Sequence, residues 1–297
     1  MRIDAHQHFW QLDKPFCTWP TPAEERIYAD FGERDIAPLL DACAVDCTVL
    51  IQAAPSLEET HYLLEIADRT PFVRGVVGWI DMEASSAMSD LEVLARYPRF
   101  RGIRPMLQAI PQTEWILNPT FDGILGRLAE LGLCFDALVT PRHLAVLHEL
   151  AKRHPALSII VDHAAKPAIR DGAEGFSDWQ SRMTTLAANA NVACKISGLL
   201  TEAGTGTDLA TLRPYLDHLL SIFGAERLLW GSDWPVVLMA ADYGQWVAIC
   251  EAWLSDKSSA DRDLFLGETA RRIYRLGGAG ENARCRYEGE ANLHGTY

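Results

Sequence analysis

The chain begins MRIDAHQHFW, with His6 and His8 two apart, in a sequence that has only 9 histidines among 297 residues. In an extended strand residues i and i+2 share a face, so this spacing predicts Asp4, His6 and His8 on one side and Ile3, Ala5 and Gln7 on the other. Two converging imidazoles suit a divalent cation, or an oxyanion in a closed site. A polar edge strand with two incidental histidines would show the same short pattern. Other reactive side chains recur at the ends of apolar runs: Arg104 after FRGI, Asp162 and His163 after SIIV, Lys195 within VACKIS, and Asp233 after RLLWGS. Taken singly, each has a structural explanation, such as a buried histidine with its partners, a surface ion pair, or an aspartate capping a turn before Trp-Pro. Taken together, they need an architecture that brings several strand ends to one place.

The alternation of elements supplies one. Eight β-type runs (3–8, 46–52, 73–80, 100–105, 133–139, 158–163, 192–197 and 227–233) are separated by amphipathic helical stretches such as SLEETHYLLEIADR, PRHLAVLHELAKRH and LRPYLDHLLSIFG. Strands alternating with helices imply right-handed βαβ units, and eight of them predict a single-domain α/β fold, a (β/α)8 TIM-type barrel over residues 1–276. An open dinucleotide-binding sheet would need GxGxxG after its first strand, where this chain reads HFWQLDKPF. Barrels of this type place chemistry at the C-terminal ends of their strands. Alternation groups Ile159, Val161 and His163 on one face of the sixth strand and Leu229, Gly231 and Asp233 on one face of the eighth, which predicts His163 and Asp233 pointing inward. The long connection 9–36, rich in aromatics and prolines, predicts a lid or wall over the mouth. Residues 277–297 show neither period and read as a tail, mobile or packed on a partner.

Composition narrows the partners. Lys and Arg total 27 against 40 for Asp and Glu, a net charge of −13 with no basic run, which weighs against nucleic acid. No apolar segment reaches membrane length and the polar N-terminus is unlike a signal peptide, so a soluble, cytoplasmic protein with no membrane partner is expected. The seven cysteines are scattered, odd in number and never in CxxC pairs, which argues against a disulfide framework and against a cysteine zinc site. No feature speaks to oligomeric state.

The motifs HQHFW, DHAAKP, CKISGL and LLWGSDWP together resemble the amidohydrolase superfamily, in particular the branch of metal-dependent hydrolases that contains sugar lactonases such as L-fuconolactonase and L-rhamnonolactonase. The likeness runs from Met1 to Leu276. It implies that His6 and His8 are the first-strand metal-type pair, His163 the sixth-strand histidine, and Asp233 the eighth-strand acid that activates water. Dinuclear members bridge their metals with a carboxylated lysine or glutamate from the fourth or fifth strand, positions where this chain offers Arg104 and Asp136. The resemblance therefore implies one weakly held divalent ion, zinc, on His6, His8 and Asp233, with His163 as the remaining candidate ligand, or no required metal.

The implied reaction is the opening of a sugar-acid lactone. Asp233 would take a proton from water and return it to the ring oxygen, while His163, Arg104 or a metal on His6 and His8 polarises the carbonyl. Trp10, Trp19 and Trp234 are candidate platforms for a sugar ring, with packing as their alternative role. Gln52 and Lys195 are candidate partners for hydroxyl or carbonyl oxygens, and for Lys195 the alternative is an ion pair inside the barrel. A metal-dependent non-oxidative decarboxylase of an aromatic or unsaturated acid would need a firmer ligand set. A TatD-like nuclease would need a fourth-strand carboxylate and a phosphate-binding surface. A non-catalytic binding barrel would show a broken constellation, whereas the histidine pair and Asp233 are intact.

Overall fold

The computed structural model describes residues 1–277 and contains one sheet of eight parallel strands in chain order. They are β1 (Ile3–Gln7), β2 (Cys47–Ile51), β3 (Val73–Gly78), β4 (Phe100–Ile103), β5 (Cys134–Ala137), β6 (Ser158–Val161), β7 (Val192–Ile196) and β8 (Leu228–Trp230). Just past β8 the chain closes on β1: the Asp233 N–H donates to the His6 carbonyl at 2.8 Å and the His8 N–H to the Trp234 carbonyl at 2.7 Å. The result is the (β/α)8 barrel that the alternation predicts. Apart from residue 277, the expected tail lies outside the described residues, as does Cys285. The six described cysteines are free thiols.

Strands β2, β3, β6 and β8 are Val-, Ile- and Leu-rich because both of their faces are covered. Val49, Ile51, Val77, Ile160 and Leu229 fill the barrel interior, while Leu50, Val76, Phe135, Ile159 and Val161 pack outward against the helices. The helices are α1 (Glu33–Ala42), α2 (Leu57–Arg69), α3 (Ala87–Leu94), α4 (Asp122–Leu131), α5 (Leu144–Arg153), α6 (Gly172–Ala187), α7 (Leu199–Ala203), α8 (Leu209–Phe223) and α9 (Tyr243–Leu254). Several starts are fixed by side-chain caps, with Ser56 accepting from the Glu59 N–H, Asp208 from Thr211 and Asp242 from Gln245. Finally α10 (Ser259–Asp263) runs through a π-helical turn into α11 (Thr269–Ile273). From this last segment Ala270, Tyr274 and Leu276 join the interior core and close the bottom of the barrel. None of the described helices is long and apolar enough to cross a membrane.

Two local departures decide which side chains face the mouth. In β1, Asp4 pairs with Thr48 and Gln7 with Leu50, three steps against two, so the strand carries a bulge. Strict alternation is thereby corrected: Ile3 and Ala5 face inward before the bulge, and His6 and His8 face inward after it. Asp4 does not share their face. Its carboxylate turns outward to accept from the Ser232 N–H at 2.8 Å and from the Tyr243 hydroxyl of α9 at 3.0 Å.

The second departure follows β6. Ile159 and Val161 point outward and Ile160 inward, so the face assigned to His163 by alternation is the wrong one. His163 reaches the mouth because the backbone turns left-handed there, with φ of 52°.

Candidate active site

His6 from β1, His8 just past its end, His163 after β6 and Asp233 after β8 converge at the mouth, each no more than 5% exposed. The His6 and His8 Nε2 atoms are 3.2 Å apart. Asp233 Oδ1 lies 3.3 Å from His8 Nε2, 3.6 Å from His6 Nε2 and 3.8 Å from His163 Nε2. Two glycines permit this crowding. A Cβ on Gly231 would sit 2.7 Å from the His6 Cβ, and one on Gly198, whose φ is +65°, would sit 2.7 Å from His163 Nδ1.

The proton positions follow from the partners. His8 Nδ1 is 2.9 Å from the Ile51 carbonyl oxygen, which only accepts, so Nδ1 carries the proton and Nε2 presents a lone pair. That lone pair faces a carboxylate oxygen of Asp233 at 3.3 Å, an acceptor opposite an acceptor, an arrangement satisfied by a proton or a cation between them. A tetrahedral zinc ion with bonds of about 2.0–2.1 Å has donor–donor edges of about 3.3–3.4 Å. The edges here are 3.2, 3.3 and 3.6 Å. The donor set of His6, His8 and Asp233 therefore fits a single divalent ion. His163 Nδ1 is instead 2.8 Å from the Ser197 hydroxyl.

Burial raises the Asp233 pKa, but its interactions with the surrounding imidazoles, His163 first and then the His8 hydrogen bond, outweigh it, so the net direction is down and the carboxylate stays ionised. Burial also holds the His163 imidazole down at about 4, so this ring is neutral near neutral pH.

Beneath His6 lies a buried ionic cage. The Lys195 ammonium is 2.5 Å from Asp136, 3.0 Å from Asp162 and 3.2 Å from His6 Nδ1. Burial works against the ammonium, yet the two aspartates more than offset it and keep Lys195 charged. Tyr274 completes the cage from below, donating to Asp136 at 2.7 Å. Lys195 is thus inside the barrel, under the site and off the cleft wall.

Arg104 reaches the cleft from β4 and pairs with Asp162 at 3.4 Å. Gln52 grips it from both ends: its Oε1 accepts from Nη2 at 3.0 Å and its Nε2 donates to the Arg104 carbonyl, while its own carbonyl also accepts from Nη2. Gln52 is fully buried, so it orients Arg104 without lining the cleft. Glu59 accepts from the Ala53 and Ala54 N–H groups and fixes the neighbouring wall, with burial pushing its pKa up to about 7.

The cleft has a volume of about 410 Å³ and is lined by His8, Trp19, Ala53, Arg104, Met106, Gln108, Leu138, His163, Lys166, Thr201, Asp233, Val236 and Met239. That size suits a small ligand. Of the three candidate platforms only Trp19 is on this wall. Trp10 is 1% exposed, donates to the Ala29 carbonyl at 2.8 Å and braces Trp19 edge-on. Trp234 is buried against Phe9 and Phe31. Sequence reasoning passed over Lys166 and Ser197, although both stand within the motifs DHAAKP and CKISGL. Met106, Leu138, Val236 and Met239 carry no chemical signal and become wall residues only through the fold.

The amidohydrolase family model matches residues 3–276. The chain belongs to the amidohydrolase family. Among other amidohydrolases and their relatives, it is 48% identical to an L-fucono-1,5-lactonase of Burkholderia ambifaria over 91% of each chain. It is 33% identical to an L-fucono-1,5-lactonase of Burkholderia multivorans, covering 93% of this chain and 96% of that one. A crystal structure of an amidohydrolase from Burkholderia multivorans with bound zinc is similar at a TM-score of 0.88 and 33% identity, covering 93% of this chain and all of that one.

Proposed function

We propose that this amidohydrolase opens a sugar-acid lactone of the L-fucono-1,5-lactone type by attack of water. The observation that carries the reading is an ionised carboxylate, Asp233, ringed by three imidazoles at 3.3–3.8 Å on the wall of a small-ligand cleft. Close similarity to two L-fucono-1,5-lactonases supports the substrate class.

In this mechanism Asp233 accepts a proton from a water as its oxygen bonds to the lactone carbonyl carbon. Arg104, held rigid by Gln52, supplies positive charge and the neutral His163 imidazole a polar group toward the developing oxyanion, and preorganised stabilisation of this kind is worth about 3–4 kcal/mol of barrier. The bond from carbonyl carbon to ring oxygen then breaks, Asp233 returns its proton to the departing alkoxide, and the product is the open hydroxy acid. His6, His8 and Asp233 would hold a zinc ion, which when bound acidifies water and polarises the carbonyl. Trp19 supplies an aromatic wall for the sugar ring.

A pH-indicator assay against a panel of aldono- and uronolactones, on chelator-treated and on zinc- or manganese-supplemented protein, tests the reading. Turnover of L-fucono-1,5-lactone or a stereochemical relative is expected. Inertness toward the whole panel in every metal state overturns it.

A further inference from the structure

Four consecutive residues carry left-handed backbone: His163, Ala164, Ala165 and Lys166, with φ of 52°, 51°, 60° and 51°. The Lys166 N–H donates to the His163 carbonyl at 2.8 Å, an i to i+3 bond that makes the segment one turn of left-handed 3₁₀ helix. Residues three apart in such a turn lie on the same side. The turn that swings His163 into the mouth therefore carries Lys166 there too, and both line the cleft. Left-handed backbone is unfavourable for residues with a Cβ, and a support is present, since the Trp179 Nε1–H donates to the Ala164 carbonyl at 2.7 Å.

Two further polar groups come from the next connection, after β7. The Lys166 Nζ is 3.8 Å from Glu202 Oε1, an ion pair too long for a hydrogen bond. Thr201, also on the cleft wall, buries a hydroxyl with no hydrogen-bond partner in the structure. The ammonium of Lys166 and the hydroxyl-bearing Thr201 thus stand on one wall with hydrogen-bonding capacity to spare, and the Glu202 carboxylate stands beside Lys166 off that wall, whereas Ala53, Met106, Leu138, Val236 and Met239 make other parts of the wall apolar.

We propose that Lys166 and Thr201 form the subsite that reads the hydroxyl groups of the substrate, with Lys166 donating to one hydroxyl oxygen while Thr201 accepts from its neighbour, and with Glu202 positioning the Lys166 ammonium from behind. A vicinal diol matches a donor and an acceptor set side by side, and the hydroxyl of Thr201 can serve either partner. The subsite rests on the lactone reading above and makes it specific: a polyhydroxylated lactone is preferred over a bare one.

The test compares kcat/KM for L-fucono-1,5-lactone with that for δ-valerolactone, a six-membered ester without the hydroxyls or the ring methyl, in the wild type, Lys166→Met, Glu202→Gln and Thr201→Val. Where valerolactone turnover is too slow, inhibition by L-fuconate and by 5-hydroxyvalerate gives the same ratio. Selectivity for the hydroxylated compound is expected to fall about tenfold or more in Lys166→Met, and several-fold in Thr201→Val and, through the displaced ammonium, in Glu202→Gln, mainly through KM, and to return in part in Lys166→Arg. If Lys166→Met does not fold, Glu202→Gln and Thr201→Val decide. Equal losses on both compounds would place these residues in structure or at the reacting carbonyl, and unchanged selectivity would remove them from recognition; either result overturns the subsite. A wild type inert toward every lactone sinks the lactone reading itself, and the subsite with it.

Discussion

Replacing Asp233 by asparagine separates its charge from its shape. The residue has a φ of 59°, a left-handed conformation that asparagine tolerates as well as aspartate does, whereas alanine would add about 1–2 kcal/mol of strain. Its backbone N–H, bonded to the His6 carbonyl at the barrel seam, is untouched by the exchange. The variant should therefore fold and keep a side-chain oxygen near His8 while losing its proton acceptor. Loss of a general base costs a factor of about 10² to 10⁴, or roughly 3–5 kcal/mol of barrier at 1.36 kcal/mol per tenfold. Steady-state hydrolysis of L-fucono-1,5-lactone with a pH indicator, corrected for spontaneous opening, measures the effect, and thermal denaturation checks the fold. A folded Asp233→Asn enzyme within tenfold of wild-type kcat would refute the assignment of Asp233 as the base.

The aromatic residues of the first connection should separate by role: Trp19→Ala raises KM several-fold with little change in kcat, whereas Trp10→Ala lowers stability by about 3–5 kcal/mol, as for a buried aromatic. Denaturant melts beside kinetics distinguish the two, and identical behaviour would contradict the placement of Trp10 behind Trp19. Protein purified without added metal should hold at most one equivalent of divalent ion per chain, released by chelator and by His8→Ala, because three donors beside the Lys195 ammonium make a weak site. Elemental analysis showing two equivalents, or one that survives long dialysis, would overturn this. Lys195→Met strands Asp136 without its cation, leaves Asp162 only Arg104 at 3.4 Å as a cation, and should cost about 3–5 kcal/mol, lowering Tm by roughly 10 °C. A calorimetric Tm within 2 °C or so of wild type would show that the cage contributes little.

The strand runs were legible because a barrel strand covered on both faces is a short continuous apolar stretch, and such stretches are what the sequence displays. Side-chain direction was less legible wherever the backbone left its period. Nothing in IDAHQH announces the bulge that turns Asp4 outward, and nothing in DHAAKP announces a left-handed turn, since Ala164 and Ala165 are poor candidates for positive φ. Burial was the other blind spot. Trp10 and Trp234 look like sugar platforms in one dimension, but only the packing of the first connection shows Trp19 on the cleft wall and Trp10 behind it. Lys195 likewise looks available until Asp136 and Tyr274 enclose it.

That enclosure bears on how the chain is made. All eight strands have been synthesised by Trp230, yet the Asp136 carboxylate, deep in the interior, draws one of its two hydrogen bonds from Tyr274. A nascent chain holding every strand but not yet this tyrosine would leave the floor of the barrel open to water and its acid short of a partner. Closure is therefore set by the order of translation. The polypeptide can begin to pair its strands while still attached to the ribosome, but the interior is sealed only after the segment through Leu276 has emerged and swung beneath the strands that preceded it.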